Sequence, residues 1–166
     1  MSAYAILGAT GQTGSSILKL LGESPTAKIN VLVRSRTKLE KLYPSLASKP
    51  NIKVFEGSIS DQDILCACLA GTRAVFLTVA VNANIPGCTI AIDTAKAVVG
   101  ALETLKEKDE RTRMPRLVVL SSASLDDRFW RGIPHIFHTI MYAAAFYIYE
   151  DLKVCLLYTS PSPRDS

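Results

Sequence analysis

LGATGQTG, residues Leu7–Gly14, follows the apolar run AYAIL and leads into SSILKLL. Gly8, Gly11 and Gly14 stand three residues apart in it. The run before them has the short, unbroken apolar character of a buried strand. After them Ile17, Leu18, Leu20 and Leu21 recur at helical spacing. The segment therefore predicts a strand that turns through glycines directly into a helix. Gly8 lets the chain turn sharply off the strand. Gly11 lets backbone N–H groups approach an anion with no Cβ in the way. Gly14 lets the helix pack closely on the sheet. The helix start adds unpaired N–H donors and a partial positive charge. Thr10, Gln12 and Thr13 offer further donors. Together these features predict a cradle for a pyrophosphate.

The same alternation continues along the chain. AKINVLVRS (27–35), NIKVFEGS (51–58), RAVFLTVAV (73–81) and PRLVVLSSAS (115–124) read as further strands. RTKLEKLYPSL (36–46), DQDILCACLAG (61–71), CTIAIDTAKAVVGALETLKEKDE (88–110) and PHIFHTIMYAAAFYIYEDLKV (134–154) read as helices, the last as one long helix. Asp61 and Gly71 are the expected N- and C-caps of the third helix. Five strands alternating with helices predict an α/β fold, a Rossmann-type doubly wound parallel sheet of order 3-2-1-4-5. Its ligand crevice lies at the carboxyl ends of the strands.

Strand ends then indicate which dinucleotide. A site for NAD places an acid after the second strand, on the ribose hydroxyls. Here that position reads VLVRSRTK, with Arg34 in place of the acid and Arg36 and Lys38 close by. A guanidinium fork matches a 2′-phosphate, so the cofactor expected is NADP(H), with Arg34 the discriminating residue. Ser58 and Ile59 are expected to flank the adenine. Val79, Ala80 and Asn82 are expected on the nicotinamide-ribose side.

Bulk properties bound the alternatives. The 166 residues are 48% apolar, enough for one domain with a substantial core. A net charge of +4, with no basic run longer than two, gives no nucleic-acid signal. It suits an anionic small molecule equally well. Cys66, Cys68, Cys88 and Cys155 form no CxxC or zinc spacing and read as reduced thiols. His135 and His138 lack further ligands, so no metal is expected. AYAIL is too short for a signal peptide, and IPHIFHTIMYAAAFYIY is shorter than the ~20 residues of a membrane span. No membrane role is expected, and the expected location is cytoplasmic.

GATGQTG, VLVRS and VVLSSAS resemble the atypical short-chain dehydrogenase/reductase superfamily, in its NmrA-like, NAD(P)H-binding branch. The resemblance covers residues 3–154. It implies a chain that normally runs on to supply the last strands and most of a substrate pocket, so this fold is expected to be C-terminally truncated. It also implies a catalytic set. Tyr149 and Lys153 in YEDLK are four apart and share a helix face. In short-chain reductases such a tyrosine exchanges the carbonyl proton, the lysine holds it and the ribose, and a strand-end serine binds the same carbonyl. Ser122 is the better placed serine, with Ser124 the alternative.

Two functions follow from that resemblance. One is an NADPH-dependent oxidoreductase acting on a small carbonyl, enone or quinone-like substrate. The other is a non-catalytic NADP(H) sensor working through a partner protein; a homodimer is a further expectation. Trp130 reads either as a packing anchor or as a lid, and Asp126 and Asp127 as caps of the next turn. The final string CLLYTSPSPRDS (155–166) resembles a translated sequencing adapter. The expected division is therefore a binding domain over 1–154 and a non-native or disordered tail over 155–166.

Overall fold

The computed structural model describes residues 2–81 and 84–160. Its strands are β1 (Ser2–Leu7), β2 (Ala27–Val33), β3 (Ile52–Glu56), β4 (Ala74–Leu77) and β5 (Arg116–Val119). All four pairings are parallel, in the order β3-β2-β1-β4-β5. The connecting helices are α1 (Gln12–Gly22), α2 (Arg36–Leu42), α3 (Pro44–Ala47), α4 (Gln62–Leu69) and α5 (Ile90–Lys108). A 3-10 turn at Ala123–Leu125 leads to α6 (His135–Ala144) and α7 (Phe146–Thr159).

The strand pleat divides the core in two. Ala5, Leu7, Leu32, Val75 and Leu77 pack on one face against Leu65, Leu69, Val98 and Leu102 of α4 and α5. Ile6, Ile29, Val31, Val33 and Val54 pack on the other against Leu18, Leu39 and Leu46. Adjacent residues of β1 thus serve opposite cores, as the twofold repeat of a strand requires. A central parallel sheet is buried on both faces, which is why its strands read as unbroken apolar runs. One polar residue in β2 is accommodated because Asn30 donates its amide to Cys68 O at 2.6 Å.

Several expected elements take a different form. The helix expected over 36–46 is two, because Tyr43 leaves helical geometry ahead of Pro44. Proline lacks the N–H needed to continue a helix and disfavours helical geometry in the residue before it. The long helix expected over 134–154 breaks at Ala145 (φ −127°, ψ 24°). After the break α7 turns Leu152 and Cys155 onto Ala91 and Ala95 of α5, whereas α6 buries none of its residues. α7 continues past Val154 to Thr159, with Cys155 buried. Asp61 does occupy the N-cap position of α4, but its carboxylate bonds to Ser58 N instead of a helix N–H. Ala70 is the C-cap of that helix, and Gly71 follows it with φ +67°.

Candidate functional site

The carboxyl ends of β1–β4 surround a cleft of about 490 Å³. It is lined by Gly8, Thr10, Arg34, Ser58, Ile59, Val79 and Ala80, all expected from the sequence, and also by Ile90. This is the switch point of the sheet, where β1 has β2 on one side and β4 on the other. Connections leave in opposite directions there and open a crevice. Asn82 lies outside the described residues.

The three glycines do different work. Gly8 has φ +90°, a conformation that other residues rarely adopt. A Cβ on it would also stand 2.7 Å from the carbonyl of Thr78. A Cβ on Gly14 would overlap the Gly8 carbonyl oxygen and approach Thr78 Oγ1 to 2.7 Å. These two are thus required by the packing of the turn on itself. Gly11 is different: its φ of −79° suits any residue, and its Cβ would meet only Gly8 O, at 3.3 Å. It is also the N-cap of α1. No side chain caps that helix, and no acid lies in its first turn. The N–H groups of Gln12 and Thr13 at the helix start are thereby left for an anion.

Of the three basic side chains after β2, one has structural work. Arg36 donates Nη2 to Val54 O at 2.8 Å and pairs with Glu40 at 3.9 Å. The Lys38 N–H caps onto Ser35 Oγ at 3.2 Å. Arg34 alone lines the cleft, exposed, and its guanidinium bonds to no other described residue. A 490 Å³ crevice at the glycine turn, with a free guanidinium in its lining, fits a dinucleotide.

The carbonyl-chemistry candidates lie at the end of β5 and on α7. Ser122 Oγ and Ser124 Oγ are 2.6 Å apart, and Ser124 Oγ donates to Tyr149 Oη at 2.8 Å. The structure thus joins Ser122 and Tyr149 through Ser124, so both serine alternatives belong to one chain of hydroxyls. Lys153 does not join them. Its Nζ donates to Tyr142 Oη at 2.5 Å and to Glu150 Oε1 at 3.3 Å. Tyr142 also donates to Glu150 through a short hydrogen bond. The Tyr142 hydroxyl, with Lys153 beside it, holds the Glu150 carboxyl below its ordinary range. Tyr142 and Glu150 hold the Lys153 ammonium above its own. Trp130 is an anchor here, donating Nε1 to Ser124 O at 2.8 Å and packing edge-on to His138. Asp126 caps the following turn through Arg128 N. Among the described residues, no group of three His, Cys, Asp or Glu could hold a metal ion.

A model of proteins described as NAD(P)H-binding matches residues 8–153. The chain belongs to this NAD(P)H-binding family. The chain is 44% identical over 155 residues to oxidoreductase dmxR7 of Cryptosporiopsis sp., covering 93% of this chain and 65% of that one. To oxidoreductase ordB of Dothistroma septosporum it is 44% identical over 153 residues, covering 92% and 57%. The chain therefore spans about three fifths of the length of these relatives. The fold matches a short-chain dehydrogenase/reductase of Veillonella parvula solved in complex with NADP. There the TM-score is 0.69 at 18% identity, covering 95% of this chain and 63% of that one. Alfalfa vestitone reductase matches with a TM-score of 0.60 at 19% identity, covering 95% and 52%.

Three residues hold the segments around the cleft by contacts that the sequence does not show. Thr78 donates Oγ1 to Leu7 O at 2.7 Å and forms the wall against which Gly8 and Gly14 sit. Asp61 fixes the Ser58 turn, accepting its N–H at 2.6 Å. Asp151 is 6% exposed and accepts Ala91 N at 2.8 Å and Ile92 N at 2.9 Å, capping α5 from another helix. Only Asp61 had a local signal, as a helix-start acid. The partners of Thr78 and Asp151 are about 60 to 70 residues away.

Proposed function

We propose that this protein is an NADPH-dependent oxidoreductase acting on a small carbonyl, enone or quinone-like substrate. The observation that carries the reading is the cleft at the carboxyl ends of β1–β4, lined both by Gly8 and Thr10 of the glycine turn and by Arg34, whose guanidinium bonds to no other described residue. In this reading the Gly11–Gly14 turn, with Thr10, Gln12 and Thr13, holds the pyrophosphate. Arg34 holds the 2′-phosphate. Ser58 and Ile59 flank the adenine, and Val79 and Asn82 face the nicotinamide side. Bound there, NADP(H) supplies hydride chemistry. Tyr149 exchanges the carbonyl proton. Ser124 Oγ, 2.8 Å from Tyr149 Oη, holds the phenol at the end of the hydroxyl chain. Ser122 lies at the outer end of the hydroxyl chain, beside an open cavity.

Tyr149→Phe tests the reading. NADPH oxidation with a carbonyl and quinone panel is lost, while NADPH binding, followed by nicotinamide fluorescence, is retained. Unchanged turnover removes Tyr149 from the chemistry. Arg34→Ala tests the cofactor: NADPH binding weakens far more than NADH binding, and equal losses refute the 2′-phosphate assignment.

A second reading, a non-catalytic NADP(H) sensor, is favoured by one observation. Lys153 is engaged by Tyr142 and Glu150 and not by Tyr149. In that reading the exposed apolar residues of α6, with Ile136 64% and Ile140 59% accessible, receive a regulatory partner or a second copy. Cofactor binding without turnover across the panel selects it.

A further inference from the structure

The opposite end of the sheet, where the strands begin, holds a second concavity of about 590 Å³. Arg73, Arg113 and Arg116 line it, with Thr72, Thr112 and Met114, and no carboxylate lines it. Two of the arginines are carried by the sheet. Arg73 N donates to Ala3 O at 2.7 Å, and Arg116 N donates to Arg73 O at 3.0 Å. Arg113 comes from the 109–115 loop, closed by Thr112 N on Asp109 O at 2.9 Å. None of the three guanidinium groups forms a hydrogen bond or ion pair with another described residue.

Helix ends do not account for them. α4 and α5 both finish at this end of the sheet, and cations suit such carbonyl termini. One terminal carbonyl of each helix is already served by a threonine: Thr72 Oγ1 donates to Leu69 O at 2.8 Å, and Thr112 Oγ1 to Leu105 O at 3.4 Å. Three like charges around one concavity repel one another, and no carboxylate among the described residues lines it. Guanidinium forks bind phosphoryl oxygens in bidentate geometry. The volume is that of a small-molecule site.

We propose that Arg73, Arg113 and Arg116 form an anion site for a small ligand bearing two or more phosphoryl groups, separate from the dinucleotide cleft. The site lies at the opposite ends of the strands from Arg34, so its occupancy is independent of that residue.

Titration calorimetry of the full chain with inorganic tripolyphosphate tests this, at about 0.1 M ionic strength so that distant charges are screened. With saturating NADPH present, so that the pyrophosphate cradle of the dinucleotide cleft is filled, one equivalent binds, both to the unaltered chain and to Arg34→Ala. Arg113→Gln and Arg116→Gln each weaken it about tenfold or more, the loss of one charge-assisted contact. Lys53→Gln, a cation outside the concavity, leaves it unchanged, and thermal melting shows each variant folded. If Arg116→Gln does not fold, loop residue Arg113 decides alone. Absence of binding overturns the proposal. So does a loss that follows Arg34, which moves the anion to the cofactor cleft, or an equal loss in Lys53→Gln, which reduces it to surface charge. Tighter binding of citrate overturns the phosphoryl assignment.

Discussion

Substituting alanine at Gly11 and at Gly14 separates folding from binding within a single loop. At Gly14 the new methyl would overlap the Gly8 carbonyl oxygen and press on Thr78 Oγ1. The obstacles are backbone and a buried hydroxyl already bonded to Leu7 O, so neither yields cheaply. Overpacking of this kind costs about 1–3 kcal/mol, and a backbone obstacle puts it at the upper end. Alanine's better helix propensity returns about 1 kcal/mol at most. The expected net loss is about 2 kcal/mol. At Gly11 the backbone is already in a region open to every residue, and the methyl meets one atom at 3.3 Å. Loss of a favourable N-cap costs about 0.5–1 kcal/mol. The same methyl would stand over the bare N–H groups of the helix start, so NADPH affinity falls about tenfold or more. Urea unfolding gives the stabilities, and fluorescence titration gives the affinities. The reasoning fails if Gly11→Ala destabilises as much as Gly14→Ala, or if it folds normally and binds NADPH unchanged.

Asp151→Ala removes the acceptor for Ala91 N and Ile92 N, and with it the anion at the start of α5. It lowers unfolding free energy by about 2–4 kcal/mol, while Asp151→Asn, which keeps one acceptor oxygen, loses about half as much; equal stability in both refutes the capping role. The Tyr142–Glu150–Lys153 cluster gives stability with a defined pH window. Glu150 is lowered from 4.5, so its contribution is present above that value and lost as pH falls through the lower folded one. Lys153 is raised from 10.5, so its contribution is present below that value and lost as pH rises through the higher folded one. The melting difference between Glu150→Gln and the unaltered chain is therefore flat between those values and vanishes in acid; a difference that persists in acid refutes it. Of the four thiols, Cys88 is the partly exposed one and reacts first with an aromatic disulfide reagent near pH 8. Burial pushes Cys68 up to about 12 and Cys155 above its ordinary range, so both stay protonated and protected. Fast labelling of Cys68 in the folded chain refutes this.

The sequence by itself determined the sheet. Five apolar strands separated by amphipathic helices admit a parallel order with little freedom, because crossovers have one hand and both faces need covering. The cleft lining was legible too, since Gly8, Thr10, Arg34, Ser58 and Val79 follow closely on strand ends, where the topology must gather them. What was not legible lies in contacts between distant residues. Arg34, Arg36 and Lys38 look alike in sequence, and only the packing of β3 engages Arg36 and leaves Arg34 free. Tyr149 and Lys153 share a helix spacing, yet the break at Ala145 lets α6 bring Tyr142 to Lys153, while Tyr149 turns to Ser124. Arg73 and Arg113 are far apart along the chain and meet only because β4 and β5 are neighbours. Periodicity reports which face a residue takes; which partner it finds there is decided by the fold.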